Sequence, residues 1–280
     1  MLLPLEDLYT DVIAKAQRGL EINDQELASQ AGVDPQLLES VKSGTVDEDV
    51  LEKIAPVLKL HGPTLVVMAR KTWRPHPLEI NGLRQFNTTF DDMTVNAYLV
   101  WDTTTKAGAA FDSGADASDM ADMARALGVR LEAVFLTHTH PDHVADIATL
   151  RKGNKPLYAC EKEPWEGATL FTIGKEFTIG NLRVETRQTT GHSKGGTTYV
   201  IHGLARPIAI VGDALFASSM GGGAVSYADA LKTNRESIFT LPENTVVCPG
   251  HGPMTTVGEE RQHNPFYPEY KRAPHPVPSE

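Results

Sequence analysis

The stretch His138-Thr139-His140-Pro141-Asp142-His143 sets three imidazoles and a carboxylate within six residues, and few folds have a use for that. Neutral imidazole nitrogen and carboxylate oxygen are the donors that borderline divalent cations such as Zn²⁺ prefer. The run before it, Leu131-Glu132-Ala133-Val134-Phe135-Leu136, is short, apolar and partly β-branched or aromatic, which predicts a buried strand. Thr137 then begins a strand-end loop, where a rigid scaffold holds functional groups within reach of solvent. On extended backbone His138 and His140 point the same way. Asp142 and His143 are expected to open a helix over His143 to Leu150. The competing reading is a polar loop whose histidines only cap and hydrogen-bond, and the downstream sequence weighs against it.

A chain of 280 residues with 41% hydrophobic content has enough apolar side chain for a sizeable core. Its formal net charge of -10 argues against general affinity for nucleic acid or anionic membranes. The N-terminus turns acidic at Glu6-Asp7, without the basic region and long apolar core of a secretory signal. No uncharged apolar run approaches membrane-spanning length. Cys160 and Cys248 are expected as free thiols, and the expected location is cytoplasmic.

Residues 1–72 read as a small all-helical domain. Leu5 to Arg18 carries apolar residues at helical spacing, and Asn23-Asp24-Gln25-Glu26 reads as a cap with an acidic first turn. The helix from Asp24 stops near Gly32. Asp34-Pro35 starts another that ends at Gly44, and Asp47 to Leu60 forms a fourth, which Pro56 kinks or splits. The order Glu26-Leu27-Ala28-Ser29-Gln30-Ala31-Gly32-Val33 followed by a short second helix resembles the helix-turn-helix of Cro/repressor-like domains over residues 10–70. However, residues 1–72 hold seven Lys or Arg against twelve Asp or Glu, so 7 − 12 gives about -5. Such a surface repels phosphate, so packing, homodimerisation or partner docking is preferred to DNA reading.

Thr72-Trp73-Arg74-Pro75-His76-Pro77 reads as a linker, with 73–77 as its core. From Leu78 the pattern turns to short strands at 83–89, 95–101, 107–111, 155–159, 176–179, 182–187, 197–202, 207–211 and 245–248. Helices are expected at 117–127 and 226–238. That mixture predicts an α+β architecture of two sheets covered by helices, over residues 78–264. The Pro-rich tail, 265–280, is expected to be extended or poorly ordered.

Three later segments bring further donors, each entered from an apolar strand: Gly191-His192, Gly212-Asp213 and Gly250-His251. A lone loop histidine usually only hydrogen-bonds. A carboxylate closing a buried strand is more telling, because an unpaired buried charge is costly. Taken with the six-residue cluster, these segments resemble a metallo-β-lactamase-fold hydrolase. The resemblance implies an αββα sandwich with two metals. It puts His138, His140 and His192 on one metal, Asp142, His143 and His251 on the other, and Asp213 between them. The implied cofactor is two divalent ions, zinc by expectation, with iron and manganese as alternatives that the same donors accept.

Asp213 stands where true β-lactamases usually carry cysteine, which argues against antibiotic hydrolysis. Pro249 to Arg261, with Asn264-Pro265 and Gly212-Asp213-Ala214-Leu215-Phe216, resembles the glyoxalase II-like branch. That branch implies hydrolysis of a thioester, ester or lactone by a metal-bridging hydroxide, with Asp142 orienting it or taking its proton. The alternatives are a single-iron persulfide dioxygenase on His138, His192 and Asp213, or a metal-binding sensor with the helical domain as output. Glutathione recognition does not carry over, because Ser218 to Ala224 lacks the basic and aromatic pair of that branch, and its helical C-terminal domain is missing. The expected partner is a small-molecule substrate, with neither nucleic acid nor membrane. Asp112 and Asp146 are candidates to orient the histidines, against capping roles. Lys194 and Tyr227 are weighed as substrate contacts against plain surface residues, and Met220 to Gly223 as a mobile loop.

Overall fold

A computed structural model describes residues 3–271. Five helices come first: α1 Tyr9–Leu20, α2 Asp24–Ala31, α3 Pro35–Lys42, α4 Glu48–Val57 and α5 Gly62–Ala69. Their boundaries follow from capping chemistry. Asn23 and Glu26 form a reciprocal capping box at α2, Asp34 and Asp47 cap α3 and α4, and Gly32 closes α2 in the left-handed region. Pro56 sits in the last turn of α4 and neither splits nor shortens it beyond Val57. The fifth helix lies past the expected end at Leu60, started by His61 and Pro63.

Two six-stranded sheets follow. The first orders β1 Leu83–Phe90, β2 Met93–Trp101, β3 Ala107–Phe111, β4 Arg130–Phe135, β5 Leu157–Cys160 and β6 Thr169–Phe171 side by side in chain order. It is antiparallel up to β3 and parallel from there. The second runs, from one edge to the other, β12 Thr255–Thr256, β11 Val246–Pro249, β10 Ile208–Gly212, β9 Thr197–His202, β8 Leu182–Gln188 and β7 Glu176–Ile179. The connections carry α6 Ser118–Ala126, α7 Pro141–Val144, α8 Ile147–Leu150, α9 Tyr227–Ser237 and α10 Val257–His263. The short strands β6 and β12 were not expected. The single helix expected over His143 to Leu150 is two short turns, because Asp146 leaves helical geometry at φ -125° and ψ 38°.

The sheets face one another over Tyr98, Phe111, Phe135, Tyr199, Ile210 and Cys248. Alternation along the central strands of the second sheet sends every other residue the opposite way. Val200, Ala209, Val211 and Val247 leave the inter-sheet core and join Val12, Ile13, Leu51 and Leu65 of the N-terminal helices in one cluster. The continuous apolar runs of β9, β10 and β11 therefore reflect burial on both faces. The helices of residues 9–69 are the outer layer of that sheet, so the segment shares its core with the sandwich. The other outer layer is α6 to α8, packed on Leu99, Trp101 and Val134.

The 73–77 stretch is fastened down. Trp73 stacks on His263 at 4.2 Å, and the His76 backbone N–H donates to Glu259 Oε1 at 2.9 Å. Of the tail expected from Pro265, Phe266 and Tyr267 are instead buried in the cluster of the N-terminal helices. Residues 272–280 lie outside the described residues. Cys160 and Cys248 are free and buried. Among the described residues no helix is long and apolar enough to cross a membrane.

Candidate metal centre

Strand ends deliver the expected donors to one place. His138, His140, Asp142 and His143 follow β4, His192 follows β8, Asp213 closes β10 and His251 follows β11. They gather as two groups, His138, His140, His192 and Asp213 in one and Asp142, His143 and His251 in the other. Within each group one donor atom per residue lies within 4.8 Å of all the others. Asp213 touches both groups: its Oδ2 lies 3.3 Å from His192 Nε2 and 3.3 Å from His251 Nε2, and its Oδ1 lies 3.2 Å from His143 Nε2.

The ring nitrogens that face away are anchored. His143 Nδ1 donates to Asp112 Oδ2 at 2.8 Å, His192 Nδ1 to the Gly222 carbonyl at 3.1 Å and His251 Nδ1 to the Thr94 carbonyl at 2.6 Å. Thr137 gives its hydroxyl proton to Asp112 Oδ2, so its oxygen can accept from His138 Nδ1 at 3.0 Å. In each case a proton belongs on Nδ1, which turns Nε2 toward the centre as the nitrogen that would meet a metal. His140 is turned the other way, with Nδ1 3.1 Å from His138 Nε2 and 3.0 Å from His192 Nε2. Three imidazole nitrogens aimed at one point suit a cation better than one another. His143 Nε2 and Asp213 Oδ1, both buried, close no hydrogen bond. Buried polar atoms without partners are costly, and a divalent cation shared by these donors would satisfy them. The residues fit the metals that the sequence implies.

Electrostatics agree with the donor set. Burial pushes His143 down, but the Asp213 and Asp112 carboxylates outweigh it and raise the imidazole to about 10. Burial and the Asp213 carboxylate oppose each other in the same way at His251, which is raised to about 11. His138 is driven well below its usual range by burial and by the neighbouring His143. Burial would raise Asp142, yet His251 and His143 hold its carboxyl below the ordinary value. Cations binding here must displace the protons of His143 and His251. Loading near neutral pH should therefore release about two protons, and apparent affinity should rise with pH. Calorimetry of metal loading in buffers of different ionisation enthalpy measures the count, and zero protons released would contradict this charge assignment.

Asp112, itself at φ 58°, accepts from the Thr137 N–H and hydroxyl as well as from His143. These bonds place it to orient His143, and Asp112→Asn should weaken metal binding roughly 10–100-fold in a chelator competition. Unchanged affinity would reduce it to a turn residue. Asp146 does not serve the histidines: its Oδ2 accepts the Ala117 N–H at 3.0 Å, a capping role at the start of α6. Lys194 is exposed. The loop expected to be mobile is anchored at its start. Met220 is buried, its carbonyl accepts from Lys15 Nζ at 2.8 Å, and the Gly222 carbonyl holds His192.

Several neighbours hold the ligand loops in place. Gly250 must be glycine, since a Cβ there would lie 2.0 Å from Asp213 Oδ1. Its loop is tied down by Asn96 Nδ2 and the Tyr98 hydroxyl, both donating to the Pro249 carbonyl. Glu163 joins two ligand loops, accepting from Thr139 Oγ1 at 2.9 Å and from the Gly195 N–H at 2.7 Å. Asp7 accepts from Ser219 Oγ and pairs with Lys15. The N-terminal segment thus reaches the edge of the centre.

An αββα sandwich that aims two groups of imidazole and carboxylate donors at one point defines a metal-centred hydrolase fold. The chain belongs to the metallo-beta-lactamase superfamily, whose family model matches residues 90–251. A probable metallo-hydrolase of Streptococcus pyogenes is 28% identical over 185 residues, covering 56% of this chain and 79% of the relative. The hydroxyacylglutathione hydrolase GloC of Haemophilus influenzae is 25% identical over 198 residues, 61% of this chain and 92% of its own. The B3 metallo-beta-lactamase BLEG-1 superposes with a TM-score of 0.57 at 29% identity, over 66% of this chain and 99% of that structure. These relatives point to hydrolase activity.

Proposed function

We propose that the chain is a binuclear metal-dependent hydrolase of a thioester, ester or lactone. The observation that carries this reading is the double donor set sharing Asp213, with Nδ1 of His143, His192 and His251 held outward and Nε2 turned to the centre. The similarity to a hydroxyacylglutathione hydrolase supports the thioester class. Two divalent cations in this cage would lower the pKa of a shared water and offset the charge that develops on a substrate carbonyl oxygen.

The protein's own residues do the rest. Asp142 Oδ2 lies 3.4 Å from both His143 Nε2 and His251 Nε2, and its depressed pKa keeps it ionised at neutral pH. An ionised carboxylate at that place orients a water and accepts its proton. The buried Asp213 keeps the two groups at a fixed separation, and Asp112 keeps His143 from turning. Phe216 sets its ring edge-on to His251, centroids 5.6 Å apart, and shields that side from bulk water.

The test is a panel of thioesters, lactones and phosphodiesters offered to protein of measured metal content. Turnover of a carbonyl substrate and none of the phosphodiester is expected. Two bound metals without hydrolysis of any class would sink the reading. One bound iron with oxygen uptake on glutathione persulfide would replace it with dioxygenation.

A further inference from the structure

A second cavity, of about 240 Å³, lies beside the centre between α1 and the loop that follows Asp213. Lys15, Arg18 and Gly19 of α1 form one wall, and Gly222 to Ala224 with Tyr227 form the other. Gly222 belongs to both places, because its carbonyl on the far side holds His192 Nδ1 at 3.1 Å. Lys15 links them a second time. Its ammonium lies 5.2 Å over the Phe216 ring, whose centroid is 5.6 Å from that of His251.

The chemistry of this lining differs from the rest of the segment. Residues 1–72 are net acidic, 7 − 12 giving -5, yet the cavity is lined by two cations and no carboxylate. Lys15 is partly neutralised by Asp7 and gives another proton to the Met220 carbonyl. Arg18 stands about one turn along the helix, exposed, and forms no ion pair among the described residues. A planar guanidinium with free donors is suited to bidentate capture of a carboxylate. Tyr227 adds a phenol, raised to about 12 by burial and so protonated at any working pH. The wall is built with close tolerance: a Cβ on Gly19 would lie 2.1 Å from the Tyr227 ring, so α1 and α9 meet only because that residue is glycine.

We propose that this cavity recognises the substrate, taking the carboxylate of an acidic thioester or ester on Arg18 and Lys15. The reacting carbonyl then lies at the metal centre, beyond Gly222. The inference rests on the hydrolase reading and deepens it: the N-terminal helices supply specificity from the face where Lys15 and Arg18 meet the glycine loop.

The test compares three thioesters on the full, metal-loaded chain: S-ethyl thiobutyrate as the neutral reference, its succinyl counterpart, and the butyryl thioester of 3-mercaptopropionate. These place a carboxylate nowhere, on the acyl side or on the thiol side. One acidic compound should exceed the neutral one in kcat/KM by about tenfold or more, the scale of one charge-assisted contact. Arg18→Ala should remove most of that ratio, Arg18→Glu should invert it and Arg18→Lys should restore part. Equal ratios in the wild type and all three variants would overturn the proposal while leaving the hydrolase reading intact. If no thioester turns over, the hydrolase reading fails and calorimetry with succinate decides the cavity. Binding weakened about tenfold by Arg18→Ala would support it, and binding indifferent to Arg18 would refute it.

Discussion

Replacing Asp213 with alanine should leave a folded chain that keeps at most one tight metal and hydrolyses its substrate at least about a thousandfold more slowly. The reason is positional. Among the described residues Asp213 is the one whose two oxygens reach His192, His143 and His251, and it spans both donor groups. It is also the buried negative charge that holds His143 and His251 protonated in the absence of metal. Without it those imidazoles lose their leading counter-charge and keep only Asp112 at His143 and Asp142 at His251, so fewer protons are released on loading, and the remaining donors are three histidines on one side and Asp142 with two histidines on the other. Elemental analysis and steady-state kinetics on the same preparation measure the two effects together. An alanine variant that retains two tight metals would refute the bridging assignment. Asp213→Asn, of nearly equal volume, separates charge from packing: its melting temperature should stay near that of the wild type while metal content falls.

Tyr267→Ala should destabilise the protein by about 3–5 kcal/mol, a fall in melting temperature of roughly 6–20 °C for a chain of this size. Tyr267 is fully buried. Its ring packs on Phe239 at 4.4 Å, its hydroxyl accepts from Asn234 Nδ2 at 2.8 Å, and the Arg235 guanidinium lies 5.2 Å over its face. The alanine variant loses the buried ring and leaves one Asn234 amide proton without a partner, the other still going to the Ala214 carbonyl, so the cost combines a cavity with an unpaired donor. Tyr267 also lies in the cluster that joins the N-terminal helices to the second sheet. Helical ellipticity and tryptophan fluorescence, to which the buried Trp101 contributes, should therefore be lost in one transition, shifted together in the variant. Separate transitions, with the helices indifferent to Tyr267, would contradict the shared core.

The donors were legible because four of the seven are local in sequence and Asp213 and His251 follow apolar strands, while His192, past the half-polar β8, was legible only beside the others. The strands were legible for a related reason: runs such as Ile208 to Val211 leave room for little else. What the sequence hid falls into two physical kinds. Backbone acceptors have no residue signature, so the Thr94 and Gly222 carbonyls that fix His251 and His192 could not be read. Contacts across long sequence separations are equally silent. Lys15 to Met220 spans 205 residues, and nothing around either position hints at the other. The apolar faces of β9, β10 and β11 indicated double burial without saying what covered them. Residues 9–69 read as a detached helical unit because their amphipathic pattern is the same whether the buried face meets a partner or the sheet. Asp146 shows the reverse error, an acid near the motif whose position is explained by capping alone.

The proposed function requires a two-metal cage built from seven side chains. Anomalous X-ray diffraction from crystals of metal-loaded protein, collected on both sides of the metal absorption edge, tests it most directly. Two peaks per chain are expected, one among His138, His140 and His192, the other among Asp142, His143 and His251, with Asp213 between them. A single peak, with Asp142, His143 and His251 unliganded at saturating metal, would contradict it.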